Sequence, residues 1–372
     1  MRVGINLLYL IPGIVGGTET YAAGLLRGLA QVASDDEFFI FVNRAAAGWP
    51  LPASPNFTRV LCPITGLNRV QRYLYEQIRL PLLLRQYGVD ILHSLGYVGP
   101  VLASCPSVVT VHDANFVDLE SIPAWRRIVL RLFVTLAAKR AQIIITDSDF
   151  SKNRLAEVLK LPIRKITVIH AAPVVDDGPV LDWPEIKQLY NIKEPYLVAF
   201  GGKAVHKNIA TLIRAFAVLG QEFEHSLVLI GHLPPDVKLT AIEEHCRLRG
   251  RIFATGYIPR AHIWPLLSHA ELFVFPSLYE GFGLPVLEAQ HAGVPVVCSS
   301  AGALPEIAGD GAIYFNPLSV EDLVQVIRRV LLSSEMRKAL VRKGKENLKR
   351  FSWQEAAQQA VAIYKSVAAM DY

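Results

Sequence analysis

Thirteen short β-branched runs alternate with stretches of helical periodicity along this chain, and that alternation limits the fold more than any other feature. In the first half RVGINLL, FFIFVN, TRVLCP, VDILHS, SVVTVHD, QIIITDS and KITVIH read as strands; in the second YLVAFGG, SLVLIGH, RIFATGY, ELFVFPS, VPVVCSS and AIYFNP do. Most are apolar at both alternating positions, as strands of a parallel sheet must be when helices cover both faces. Helical periodicity fills 17–32, 68–87, 123–140 and 150–160. The pattern breaks at 171–184, AAPVVDDGPVLDWP, whose three prolines, one glycine and three acids read as a linker. An α/β chain of two Rossmann-like, doubly wound domains follows: 1–170 and 171–352, with a last apolar helix from about 353 to 372 crossing back to complete the first. Such sheets bind ligands beyond the carboxyl ends of their strands, so two of them facing each other are expected to form a central cleft.

The bulk numbers agree with this reading. A length of 372 residues suits two domains at roughly 150 residues each. No apolar run reaches the roughly 18 residues that span a bilayer. The opening MRVGINLLYLIPGIVGG has one basic residue and no Ala-x-Ala site, so it reads as a first strand and not as a signal peptide, and a cytoplasmic location is the default. Cys62, Cys105, Cys246 and Cys298 match no metal-ligand spacing and are expected as free buried thiols. Charge is uneven: residues 1–170 hold 18 Lys and Arg against 12 Asp and Glu, and the rest hold 20 against 21. The first domain is therefore expected to meet an acidic ligand or an anionic surface. Nucleic acid is not expected, because the arginines are not interleaved with aromatics in a binding pattern.

Chemistry concentrates at 279–290, YEGFGLPVLEAQ. Pro285 suits the first turn of a helix that runs to about Ala292 and stops at Gly293. Gly281, Phe282, Gly283 and Leu284 would then carry the unpaired N–H groups of a helix N-terminus, which attract anions. Glu280 lies before the turn and Glu288 one turn into the helix. Acids beside an anion site make sense if one ligand carries both phosphate and hydroxyls, since carboxylates accept hydroxyl hydrogen bonds well. A nucleotide sugar has both. The plainer alternative is a capped helix with solvated acids.

This stretch resembles the E-x7-E motif of the retaining GT-B glycosyltransferases, and of family GT4 in particular. The likeness covers nearly the whole chain: GGTETYAAGLLRGL resembles the family's N-terminal Gly-Gly loop and helix, VVTVHD its strand ending in histidine, FGGKAVHKN its phosphate-clamp loop, ATGYIP its nucleobase loop, and FSW at 351–353 the lead into its last crossing helix. The resemblance implies a nucleotide-sugar donor held by the second domain and a glycan or lipid-linked acceptor on the first. It implies that Glu288 bonds ribose hydroxyls and Glu280 the hydroxyls of the transferred sugar. The amides of Phe282, Gly283 and Leu284 would hold sugar and phosphate, with Gly281 in the same turn. Lys207 would neutralise the diphosphate, assisted by Lys203 or His206. Gly16 and Gly17 would pack on the phosphates, Tyr257 and Ile258 would line the base pocket, and His112 would orient the sugar. One position departs from the pattern: Gly202 stands where many members have arginine. Lys207 taken alone could be a solvated loop lysine, and His112 a structural histidine.

By the same resemblance the chemistry is a front-face substitution with retention, needing no metal and no other cofactor. The general pattern is nearest mannosyltransferases that use GDP-mannose; UDP-glucose or UDP-N-acetylglucosamine donors, a UDP-sugar 2-epimerase and an impaired sugar-nucleotide-binding subunit are the alternatives. DSD at 147–149 imitates a metal-binding Asp-x-Asp, but it follows a strand and opens a helix, where Ser148 or Asp149 suits an N-cap. Asp113 is a candidate for positioning the acceptor or His112. Arg69, Arg72 and Arg79 with Tyr73 and Tyr75, and Trp125, Arg126, Arg127 and Arg131 on the next helix, suggest an acceptor site or a face against an anionic membrane, which would make the protein peripheral to the inner face of that membrane. A core helix with snorkelling arginines is the alternative.

Overall fold

The computed structural model describes all residues except 119–123, 175–180, 203, 234–247, 249 and 370–372. The chain divides into two compact units, Met1–Ala172 with Phe351–Tyr372, and Pro173–Arg350. All thirteen anticipated strands are present.

In the first unit β1 (Arg2–Leu7), β2 (Glu37–Val42), β3 (Phe57–Leu61), β4 (Ile91–Ser94), β5 (Ser107–Thr110), β6 (Ile143–Thr146) and β7 (Ile166–Val168) form one sheet in the order β3-β2-β1-β4-β5-β6-β7. Every pairing is parallel. The winding reverses between β1 and β4, the switch point at which doubly wound sheets bind ligands.

In the second unit β8 (Tyr196–Phe200), β9 (Ser226–Ile230), β10 (Ile252–Ala254), β11 (Leu272–Phe275), β12 (Val296–Ser299) and β13 (Ala312–Phe315) run parallel in the order β10-β9-β8-β11-β12-β13. Their switch point lies between β8 and β11. Leu197 and Ala199 of β8 enter one hydrophobic cluster, while Tyr196 and Val198 enter another on the opposite face. Burial on both faces is the reason these strands are apolar at consecutive positions and not only at every second one.

The last helix, Trp353–Ala368, belongs to the first unit and packs on its first helix, Gly17–Val32. The contact needs two glycines. A Cβ on Gly24 would stand 2.0 Å from the Trp353 ring, and one on Gly28 2.3 Å from the Trp353 carbonyl oxygen. Tyr21 meets the Trp353 ring edge-on, with centroids 5.5 Å apart. Further along the helix, the Tyr364 hydroxyl lies 2.6 Å from His93 Nδ1, whose other nitrogen lies 2.8 Å from Thr110 Oγ1. Burial, with His112 adding, pushes His93 down to about 3, so its imidazole is neutral.

Two local details refine the sequence reading. Ser148 is the N-cap of helix Asp149–Leu159, its Oγ accepting from Ser151 N at 3.1 Å. The stretch expected to be a linker to 184 gives way to helix Trp183–Leu189, which Asp182 opens by donating its amide to Glu185 Oε2 at 3.1 Å. Part of that stretch lies outside the described residues, as do Lys203 and Cys246; Cys62, Cys105 and Cys298 are buried free thiols. Among the described residues no helix is long and apolar enough to cross a membrane.

Candidate active site

The two strands that flank the second switch point deliver the clearest site. β8 leads into Gly201 and Gly202, then a 3-10 turn Val205–Lys207 and helix Ile209–Leu219. β11 leads through Ser277 into the 279–284 turn. The loops are stitched together by hydrogen bonds: Leu278 N donates to His206 O at 2.7 Å, and the Asn208 side chain donates from Nδ2 to Pro276 O at 3.0 Å. Lys207 Nζ then reaches Glu280 Oε1 at 2.8 Å and lies 5.3 Å from the centre of the Phe275 ring. Lys207 and the first motif glutamate are thus one ion pair.

Helix Leu284–His291 starts where the motif requires, with Pro285 in its first turn. It ends one residue before the expected Ala292, which caps it ahead of Gly293. Gly283 is its N-cap at φ 110°, a backbone conformation that side chains strain to adopt. Gly281, Phe282 and Gly283 are buried and Leu284 is half-buried. One turn in, Glu288 Oε1 accepts from Arg260 Nη2 at 3.0 Å. Burial raises the Glu288 pKa above the usual carboxylate value, opposed by the Arg260 charge and hydrogen bond. Each motif glutamate therefore holds a cation of its own.

The anticipated base-pocket pair separates. Tyr257 is 68% exposed, whereas Ile258 is 6% exposed and belongs to the hydrophobic core. Gly202 lies against the Lys207 stem: a Cβ there would stand 3.1 Å from Lys207 Cγ. His206 sits beside it with Nδ1 buried and unbonded among the described residues, and burial and then the Lys207 charge lower its pKa.

In the first unit the candidates also gather past the carboxyl ends of the strands. Gly16, at φ 60°, caps the first helix, and a Cβ on Gly16 or Gly17 would meet nothing within 4 Å. The preceding turn is fixed by Glu19, which accepts from Gly13 N at 2.9 Å and from Trp49 Nε1 at 3.0 Å. His112 follows β5 and is buried between the edges of Tyr21 and Tyr97. Its Nδ1 lies 2.7 Å from Asp147 Oδ2 and its Nε2 3.3 Å from Leu95 O. Burial alone would lower the His112 pKa, but the Asp147 charge and hydrogen bond, with Asp113 and the Leu95 carbonyl adding, raise it above the ordinary histidine value. Asp113 Oδ1 accepts from the Tyr97 hydroxyl at 2.9 Å and from Asn115 N at 3.1 Å.

Arg69 is exposed, while Arg72 turns inward over the Tyr73 ring at 4.7 Å, with Nε 3.9 Å from Glu76 Oε1. Among the described residues no group of three or more His, Cys, Asp or Glu side chains is placed to hold a metal. Asp147, Arg260 and Glu76 are the charged partners that the sequence reading did not assign. Asp147 was within reach: it follows directly on β6, the neighbour of β5, so strand order sets it near His112.

Two parallel doubly wound sheets in separate units, with an ion pair beyond the switch point of the second, are the architecture of the GT-B glycosyltransferases. Comparison with known proteins agrees. Residues 15–172 match the model described as Glycosyltransferase Family 4, and residues 182–347 that of Glycosyl transferases group 1. The O-antigen chain mannosyltransferase B of Escherichia coli is 30% identical over 76% of this chain and 76% of its own. The MMP alpha-(1->4)-mannosyltransferase of Mycolicibacterium hassiacum is 35% identical over 77% of this chain and 72% of its own. Among solved structures, Anabaena Alr3699/HepE in complex with UDP-glucose superposes with a TM-score of 0.75 at 17% identity, covering 98% of this chain and 100% of that one. The chain belongs to glycosyltransferase family 4 and is a hexosyltransferase.

Proposed function

We propose that the protein transfers a mannosyl group from GDP-mannose to a hydroxyl of a glycan or lipid-linked acceptor, with retention at the anomeric carbon and without a metal. The observation that carries the reading is the Lys207–Glu280 pair, which sets a cation and a hydroxyl acceptor side by side at the mouth of the Leu284–His291 helix. A diphosphate entering there meets the amides of Phe282, Gly283 and Leu284 and draws Lys207 away from Glu280. Glu280 is then released to accept hydroxyls of the sugar. Glu288, oriented by Arg260, accepts the ribose hydroxyls. The mannosyl choice is supported by the two bacterial relatives, both of which are mannosyltransferases by name.

In the reaction the bond between the anomeric carbon and the diphosphate oxygen breaks, and its electron pair leaves with GDP. Lys207 and the helix amides stabilise the charge that grows on that oxygen. The acceptor hydroxyl attacks the oxocarbenium-like sugar from the face that GDP is leaving, and its proton passes to the departing phosphate. The protein then contributes position and charge and no nucleophile. His112, whose pKa Asp147 raises, is assigned the orientation of the transferred sugar.

Thermal-shift measurements with GDP-mannose, UDP-glucose, UDP-N-acetylglucosamine and ADP-glucose test the donor, because a ligand that binds only the folded state raises stability by RT ln(1 + [L]/Kd). GDP-mannose is expected to give the largest shift. A larger shift with a UDP-sugar would overturn the donor assignment, and GDP release unchanged by EDTA is expected from the metal-free reading. Binding with no turnover, with or without a mannan or lipid-linked oligosaccharide as acceptor, would leave a binding subunit and not an enzyme.

A further inference from the structure

Helices Arg69–Gln86 and Ala124–Arg140 present a surface outside the loops described above. Val70, Leu74 and Ile78 line the first at intervals of four residues, and Trp125, Ile128 and Leu132 the second at intervals of three and four; all six side chains are exposed. Such spacing keeps each set on one face of its helix. The faces adjoin, because Tyr73 stacks on Phe133 with ring centroids 4.7 Å apart. Above that stack runs an apolar groove of about 600 Å³, walled by Val70 and Leu74 on one side and Trp125 and Val129 on the other. Monomeric surfaces rarely leave this much contiguous apolar side chain open to water.

The two helices themselves carry charge of nearly one sign. The first helix carries four arginines and a single acid, Glu76, which is 2% exposed; the second carries five basic residues and no acid. The exposed face of both helices is therefore apolar and basic with no carboxylate on it. Arg69 stands at the mouth of the groove, and Arg79 is exposed further along the same helix.

We propose that this two-helix face docks on an anionic lipid bilayer, with the apolar stripe at headgroup depth, the arginines on lipid phosphates and the groove open to an acyl chain. Charge decides between occupants. A second copy docking through the same patch would bring like-charged rims together, whereas an anionic lipid surface neutralises them. Arginines flanking exposed Trp, Ile, Leu and Val are the composition of helices that lie in a membrane interface. The proposal concerns the surface alone and is independent of the donor.

Co-sedimentation of the full chain with vesicles tests it. Binding is expected to vesicles of phosphatidylcholine with about a third phosphatidylglycerol, to weaken as salt rises and to be absent on phosphatidylcholine alone. Replacing Arg79 or Arg127 by Ala is expected to lower the partition coefficient by about fivefold each, the usual contribution of one basic residue near an anionic surface. The pair Ile78→Glu with Ile128→Glu is expected to abolish pelleting while leaving the melting temperature and GDP release towards a soluble acceptor unchanged. Equal partition of that double variant, or no preference for anionic vesicles, would overturn the proposal. So would a dimer in sedimentation velocity that the same substitutions dissociate, since the face would then belong to a second copy.

Discussion

Lys207 and Glu280 are 73 positions apart in the chain, yet Lys207 Nζ donates to Glu280 Oε1 across 2.8 Å. The loops that bring them together follow β8 and β11, adjacent strands at the switch point of the second sheet. Each neutralises the other. On the proposed reading, a diphosphate competes for the lysine and finds the charge already in place where the leaving oxygen would form.

Lys207→Ala should therefore harm the chemical step more than donor capture. Loss of one group that stabilises charge in the transition state costs about 10²- to 10³-fold in kcat. The expected result is a fall of that size in kcat with a smaller change in the donor KM, measured by GDP release. Glu280→Gln should show the complementary split: the lysine is freed, so GDP binding is retained while transfer from the intact donor is lost. Equal and small effects in both variants would mean that the pair only closes the loop.

Glu288 should act mainly on nucleotide affinity. A hydrogen bond to a charged group contributes about 1.5–3 kcal/mol, so Glu288→Ala is expected to raise the Kd for GDP by about ten- to a hundredfold in isothermal titration. Arg260→Ala should follow in the same direction, because Arg260 Nη2 fixes the carboxylate at 3.0 Å and opposes its protonation. Burial holds the Glu288 pKa above the usual carboxylate value, so GDP affinity should drop on acidification as the carboxyl takes up its proton, and Arg260→Ala should move that drop to higher pH.

His112 should respond through Asp147. His112→Ala is expected to lower kcat with the Kd for GDP unchanged within about twofold. In Asp147→Asn the charge that raises the imidazole pKa is gone, so an NMR titration should find His112 titrating at lower pH. The direction for stability follows. With a folded-state pKa above the unfolded one, the pair contributes stability fully below the unfolded histidine pKa and loses it as pH rises through the folded one. Asp147→Asn should flatten that loss. A titration that does not move would separate the two residues functionally.

The strands were legible because burial on both faces writes itself into consecutive apolar residues: Tyr196, Leu197, Val198 and Ala199 alternate between two clusters, and none can be polar. The glycine turn was legible because Gly283 and Pro285 each have a local conformational reason to stand where they do. Charge pairing was not. Arg260 meets a glutamate 28 positions away, and Glu76 reads as the polar face of an arginine-rich helix until Asn6 is seen beside it. Periodicity shows which side of an element is buried, but not which strand end lies opposite. Ile258 shows the limit from the other side: next to an exposed tyrosine, it packs into the core.

Gly24 should be intolerant of any side chain. A Cβ there would stand 2.0 Å from the Trp353 ring, between two packed helices that have no room to part without exposing Tyr364 and Tyr21. Overpacking of this kind costs typically about 1–3 kcal/mol. Gly24→Ala should lower the urea midpoint, and Trp353→Leu in the same chain should recover part of the loss by vacating the ring. No recovery would place the strain elsewhere.

Glu76 should make the protein less stable as pH rises through neutrality. Its Oε1 accepts from Asn6 Nδ2 at 3.5 Å, Arg72 Nε lies 3.9 Å away, and its Oε2 is buried with no hydrogen-bond partner among the described residues. Burial pushes its pKa from 4.5 to about 7, against the opposing charge of Arg72 and the Asn6 hydrogen bond. The folded state therefore holds the proton more tightly than the unfolded chain does. Its stabilising contribution is complete below about pH 4.5 and is lost as pH climbs through about 7, a total of about 3 kcal/mol at 1.36 kcal/mol per unit. Glu76→Gln keeps the shape and removes the proton. Melting temperatures of both proteins at pH 5 and pH 8 should show the variant gaining on the parent at pH 8, whatever the offset at pH 5. Parallel pH curves would mean that the carboxyl ionises in place at its ordinary value, and that solvent reaches Oε2.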